Sequence, residues 1–336
     1  MHWLATDRNR ERRAAPALML EGAASIVSVA LCHDRDRPAG DDSRLGRIAR
    51  YAAGIDYHRI MDDLLEQLRV FIEAEAPGVR CLAYADTGAI LERAHAQHAG
   101  LGWIGKHSGL ISPEIGSWFV LGELLLDREL ESDAPFEKEH CGTCHQCLDA
   151  CPTGAIVAPY QVDARLCISY LTIELGTNIP RELRPRIGDW IFGCDVCQEV
   201  CPWNRFAPPA REARLHARRL EGWTLERFLE LDAPGFAELF DGSPIRRTGR
   251  AAFLRNVCVA LGNRGERACA PALARAVAQD PSSLVRGHAA WALGEIARRH
   301  PREQATARAV LLAATRDRIP EVREEAEFAL TGLAPA

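Results

Sequence analysis

The chain has 336 residues, 47% of them hydrophobic and 26% charged, with a formal net charge of −5. That length supports two or three cores, and the negative balance excludes a global basic field for nucleic acid. No apolar run reaches a membrane span, and the opening residues Met1 to Arg8 lack an apolar signal core, so a cytoplasmic protein without a membrane partner is expected. Twelve cysteines in that compartment point to metal rather than disulfides. Arginine supplies nearly all the positive charge, with Lys106 and Lys138 the only lysines, so local phosphate-binding patches remain open.

In chain order, residues 1–20 are polar and arginine-rich. Residues 24–31 form a β-branched run that reads as a buried strand, and residues 36–50 read as a loop. From Tyr57 to Glu75, Ile60, Leu64, Leu65, Leu68, Phe71 and Ile72 recur at helical spacing until Pro77-Gly78 stops the helix. A second strand over residues 79–84 ends at Ala85-Asp86-Thr87-Gly88, and residues 91–99 form a short helix. The glycine-dense stretch 100–111 lets backbone approach a large flat ligand closely. Residues 116–126 read as a strand without polar alternation, hence buried on both faces. Strands and helices thus alternate in the first part.

The centre carries the chemistry. Cys141, Cys144, Cys147 and Cys151-Pro152 spell C-x2-C-x2-C-x3-C-P, a bacterial [4Fe–4S] run. Cys194, Cys197 and Cys201-Pro202 form a shortened second run, and Cys167 lies between the two. These eight thiolates suit two cubane clusters. Because the cysteine before each proline ligates the other cluster, cluster one takes Cys141, Cys144, Cys147 and Cys201. Cluster two takes Cys151, Cys167, Cys194 and Cys197. Zinc sites favour sets of four without such a crossover. Cys32, Cys81, Cys258 and Cys269 lie in apolar contexts and read as small buried hydrophobes; His107 and His140 do not read as ligands.

After Pro202-Trp203-Asn204 the pattern changes. Residues 207–222 form a Pro- and Arg-rich linker, and from Trp223 onward the pattern is helical. Segments 253–262, 284–294 and 321–332 share an apolar start, an arginine and a closing glycine, at about the spacing of a two-helix HEAT unit. Such units stack and present a surface to a large partner; a plain helical bundle is the simpler alternative. Arg246, Arg247, Arg250 and Arg255, and separately Arg211, Arg214, Arg218 and Arg219, are the basic groups able to neutralise phosphates, although such runs are usually solvated faces.

With these residues in view, the chain resembles the epoxyqueuosine reductases. The matching stretches are Arg50-Tyr-Ala, Asp56-Tyr57-His58, residues 85–93 and 99–108, the cysteine runs, residues 167–174 and Cys201-Pro-Trp-Asn204. The resemblance implies reduction of epoxyqueuosine to queuosine at the tRNA wobble base, using cobalamin and two [4Fe–4S] clusters fed by an external low-potential electron donor. It implies a mixed α/β (α+β) cobalamin-binding domain of the nitroreductase and reductive-dehalogenase kind over residues 1–130, a ferredoxin-like two-cluster domain over 131–206, and a HEAT-like domain over 207–336 that binds the tRNA anticodon region. A monomer is expected. The family carries a segment before the position of Met1, so the first domain is expected to be N-terminally short.

By the same resemblance the proton donor falls on Asp86, and cobalamin contacts on Arg8, Asp86, Leu110, Leu121, Ser169 and Asp195. The resemblance also turns Arg246, Arg247 and Arg250 toward RNA. From the residues alone, Asp86 reads more readily as a helix N-cap, and the Tyr57-His58 pair as structural rather than substrate-polarising. A corrinoid enzyme acting on a small organohalide and a non-catalytic iron–sulfur electron carrier are the competing functions. A visible spectrum of anaerobically reconstituted protein, with and without cobalamin, separates them.

Overall fold

The computed structural model describes residues 6–34, 45–216, 220 and 222–333. Within these the chain groups into two compact units, each discontinuous in sequence. The first holds the described residues of 1–36, 53–163 and 195–217, the second those of 37–52, 164–194 and 218–336. Residues 131–206, one stretch by pattern, are therefore shared out between both. Arg218 and Arg219, and most of the 36–50 loop, lie outside the described residues.

The first unit is built on a three-stranded antiparallel sheet. Phe119–Leu126 is its central strand, flanked by Ser25–Cys32 and Cys81–Tyr84. This explains the run without alternation, because Leu124, Leu125 and Leu126 are almost wholly buried. The helix Tyr57–Glu75 is capped by Asp56, whose carboxylate accepts from the His58 N–H at 3.1 Å. It buries Tyr57, Ile60, Met61 and Leu65. Phe71 is 60% exposed, so the apolar stripe outruns the surface it covers. Helix and sheet meet at Gly122, where a Cβ would stand 2.4 Å from Met61 Cε. A larger residue there would force the Met61 side chain to repack. The rest of the unit includes the helix Glu92–His98, the short hairpin of Trp103–Ile104 with Leu110–Ile111, and the first and last cysteine segments.

The second unit joins Arg47–Ile48 in parallel to Trp190–Phe192 and continues into a helical array. Its helices include Gly249–Arg264, Ala270–Gln279, Ser283–Arg299, Gln304–Ala314 and Pro320–Thr331. The three repeated segments fall on the first, third and fifth of these. Their closing glycines mark where neighbours touch: a Cβ on Gly262 would meet Trp291 Cζ3 at 2.6 Å, and one on Gly294 would meet Ala329 Cβ at 2.7 Å. Among the described residues no helix is long and apolar enough to cross a membrane.

Candidate active site and cysteine cavity

Two neighbouring cavities of the first unit are lined by several of the expected site residues. One, of about 460 Å³, is lined by Tyr57, Asp86, Glu92, Arg93, His107, Ser108, Leu110, Leu121 and neighbours. Asp86 follows directly on the strand Cys81–Tyr84 and Ala85. It is not a helix cap: the helix Glu92–His98 is preceded by Leu91, with no side-chain cap bond. Instead Asp86 adopts φ 59°, in the left-handed region, which costs a non-glycine residue about 1–2 kcal/mol. Two groups hold it there. Glu92 Oε1 accepts from the Asp86 N–H at 2.6 Å, and His58 Nε2 lies 3.3 Å from Asp86 Oδ2. His58 is itself oriented by Asp56, whose Oδ1 lies 2.8 Å from Nδ1. The pair read as structural from sequence therefore reaches the acid directly, through its histidine.

Ser108, at φ 63°, is a second left-handed non-glycine residue on this cavity, and its carbonyl accepts from Arg93 Nη1. Adjacent residues on one helix turn, Glu92 and Arg93, thus hold both strained positions. They fall inside the 85–93 motif, but the sequence carried no sign of this role. Burial first, with the charge of Asp86 adding, raises Glu92 to about 7 against the backbone hydrogen bond. Beneath the site, Glu123 on the central strand is fully buried and accepts from Ser28 Oγ at 2.6 Å. Burial above all raises it to about 8, which favours its neutral form. The Asp86 side chain is 64% exposed, which leaves it open to whatever covers the cavity.

The other cavity, of about 340 Å³, is lined by Cys141, Cys144, Cys147 and Cys201 together with Lys106, His107 and Trp203. These are the four cysteines assigned to cluster one by spacing. Lys106 Nζ donates to the carbonyls of Gly142 (2.5 Å) and Cys144 (3.0 Å), pinning the first cysteine turn. Trp103 packs beside Cys141 and Cys201 and stacks on Phe136 at 5.5 Å and edge-on to Trp203 at 4.9 Å. Asn204 fastens the second run by accepting from the Ser117 N–H at 2.6 Å and donating to the Gln198 carbonyl at 2.7 Å. Burial raises the thiols of Cys147 and Cys201, and a cation in the cavity would favour their thiolates. Four convergent sulfurs, with two nearby buried ring nitrogens on Trp103 and His107 that have no hydrogen-bond partner among the described residues, fit a sulfur-rich cluster.

The remaining expected residues are spread over both units. Cys151 and Cys197 belong to the first unit, Cys167 and Cys194 to the second. Leu110 and Leu121 line the acid-bearing cavity with Asp86. Asp195 is buried at the start of the helix Val196–Glu199, Ser169 lies on Ile168–Ile173, and Arg8 is exposed on Asp7–Ala14; the wall of that cavity, among the described residues, is made without these three. Cys258 and Cys269 are buried, whereas Cys32 and Cys81 are only partly so.

In the second unit Arg246 is exposed and paired with Asp241, and Arg247 is exposed. Arg250 makes a two-pronged contact with Asp280. Arg255 is a correction to the basic group: it is fully buried, and its guanidinium serves the carbonyls of Leu171, Leu175 and Thr177. It has nothing left for a phosphate.

Three family models match the chain: "Epoxyqueuosine reductase QueG, DUF1730" over residues 13–87, "4Fe-4S double cluster binding domain" over 140–204, and "HEAT repeats" over 245–331. An epoxyqueuosine reductase of Xanthomonas campestris pv. campestris is 44% identical over 301 residues, spanning 88% of this chain and 84% of that one. A solved epoxyqueuosine reductase with a tRNA-Tyr epoxyqueuosine-modified stem loop matches with TM-score 0.87 at 32% identity, over 96% of this chain and 85% of that one. A Bacillus subtilis epoxyqueuosine reductase, described with its catalytic aspartate loop swung out of the active site, matches with TM-score 0.85 at 31% identity, over 97% and 86%.

Proposed function

The chain belongs to the epoxyqueuosine reductase family and is an oxidoreductase that reduces epoxyqueuosine in tRNA by way of iron–sulfur clusters; from that premise we propose how its residues divide the work. Residues 1–130 hold cobalamin, 131–206 the two clusters, and 207–336 the tRNA. Cluster one is held by Cys141, Cys144, Cys147 and Cys201, and cluster two by Cys151, Cys167, Cys194 and Cys197. Cobalamin is held by Leu110 and Leu121 on the acid-bearing cavity, with Arg8, Ser169 and Asp195 as further contacts. When bound, the clusters supply single electrons from an external low-potential donor, and cobalamin supplies a strongly reducing centre. The enzyme works as a cytoplasmic monomer.

Converting the epoxide to an alkene takes two electrons and two protons and releases the oxygen as water. Asp86 delivers a proton to the epoxide oxygen. The observation that carries this is its strained backbone on a cavity wall, held by His58 and Glu92, since such strain collects at functional sites. The aspartate loop named as catalytic in the Bacillus subtilis protein supports the same reading. A large ligand over the cavity desolvates the carboxyl and favours its protonated form. His58 orients the carboxyl. Arg246 and Arg247, with Arg250 if it leaves Asp280, contact the RNA backbone.

The test is Asp86→Asn assayed on epoxyqueuosine-containing tRNA with a chemical reductant. Turnover should fall by about 10²–10⁴-fold, the usual worth of a general acid, with cluster and cobalamin spectra unchanged. Wild-type turnover by that variant would remove Asp86 from the chemistry.

A further inference from the structure

His107 is common to the walls of both cavities, and its ring has a defined tautomer. The Gly109 N–H donates to Nδ1 at 3.0 Å. A backbone N–H cannot accept, so Nδ1 carries the lone pair and the ring proton sits on Nε2. The residue is 8% exposed, and among the described residues Nε2 has no hydrogen-bond partner. A buried donor without an acceptor is rare and calls for one.

The two edges of the ring face different ways. Gly109, on the acid-bearing cavity, lies against Cε1 and Nδ1. Gly105 lies against Nε2: a Cβ there would be 3.5 Å from Nε2 and 2.4 Å from Ile111 Cδ1, and Ile111 lines the cysteine cavity. The proton-bearing edge therefore lies beside Gly105 and Ile111, the latter a residue of the cysteine-cavity wall that His107 also lines. Trp103, in the same short segment, packs beside Cys141 and Cys201 and carries a second buried N–H that has no acceptor among the described residues.

We propose that His107 Nε2–H donates a hydrogen bond to a sulfur of the cluster held by Cys141, Cys144, Cys147 and Cys201, with Trp103 Nε1–H as a second donor. This rests on the ligand set proposed above. The reduced cluster carries one more negative charge than the oxidised one, so a donor aimed at its sulfur stabilises the reduced form and raises the reduction potential. His107 is thereby a positioning and tuning residue rather than a ligand or a proton donor to substrate.

The experiment uses the full chain, anaerobically reconstituted, with iron and sulfide analysis and an EPR-monitored redox titration. His107→Phe should lower the midpoint potential of one cluster and leave the other unchanged. His107→Gln, which returns an N–H near the position of Nε2, should bring it back toward wild type. Wild-type protein labelled with imidazole-¹⁵N histidine should show a ¹⁵N coupling to one reduced cluster that disappears in His107→Gln. Two intact clusters with unaltered potentials in His107→Phe overturn the proposal. If that variant fails to hold its clusters, absence of the ¹⁵N coupling in wild type overturns it instead. Wild-type protein lacking iron for two clusters would fail the ligand assignment, a result distinct from either.

Discussion

Glu123 occupies the middle of an apolar strand, where it pairs in register with Ser28 on one side and Tyr84 on the other. A carboxylate there would be prohibitive; a carboxylic acid is not. Its raised value of about 8, set against an ordinary 4.5, has a definite consequence. The native state holds a proton that the unfolded chain gives up near 4.5. The stabilising contribution is therefore complete below about 4.5 and is lost as pH rises through about 8. Glu123→Gln should flatten the fall of melting temperature with pH across that window; parallel profiles for variant and wild type would remove the neutral acid. Glu92 titrates with the same sign and a raised value of about 7, but it also holds the Asp86 N–H. Ionisation of Glu92 strengthens that hydrogen bond, so Glu92→Gln should alter the pH profile of turnover near neutrality, read from kcat between pH 6 and 8. An unchanged profile would detach Glu92 from Asp86.

At the scale of elements, the second unit is tied together by buried polar groups rather than by apolar packing alone. Arg184 is 1% exposed and meets Glu325 with two bonds, Nη1 to Oε2 at 2.9 Å and Nη2 to Oε1 at 2.7 Å. Its Nε donates to the Ile179 carbonyl, while the Ile179 N–H donates to His288 Nε2 at 3.2 Å. This joins residues 179–184 to the helices Ser283–Arg299 and Pro320–Thr331. Removing one partner of a buried pair strands the other, so Arg184→Met should cost about 3–5 kcal/mol in urea denaturation. Adding Glu325→Met should recover much of that loss, because no unpaired charge then remains. Additive losses in the double variant would mean the two side chains act separately. Arg181, which also reaches Glu325 at 3.1 Å, is the more exposed of its arginine partners and is expected to matter less.

For the molecule as a whole, a net charge of −5 means that attraction to tRNA has to come from local patches. Reversing Arg246 and Arg247 to Glu should weaken tRNA binding and shrink its salt dependence, the logarithmic slope falling by about 0.7–0.9 for each phosphate no longer neutralised. An unchanged slope would place the RNA elsewhere. Much of the molecule could be read directly from the chain. Cysteine spacing is a local, covalent pattern, and it singled out four thiols that converge on one cavity. Helical periodicity marked Tyr57–Glu75 to the residue, because an amphipathic face and the Pro77-Gly78 stop are written locally in the chain. The closing glycines were legible only as part of a repeat; that Gly262 and Gly294 sit where helices touch came from the fold. Other features depended on partners distant in sequence. Asp86 looked like a helix cap until the fold brought His58 to it, and Arg255 looked like a phosphate ligand until the carbonyls of residues 171–177 closed around it. Nor could Glu123 be recognised as a neutral acid, since protonation depends on the water excluded around a group, which only the packed sheet decides. The sequence alone determined which residues can carry the chemistry; tertiary structure decided which are held, buried and aimed, because desolvation and hydrogen-bond geometry arise from the neighbours that folding supplies.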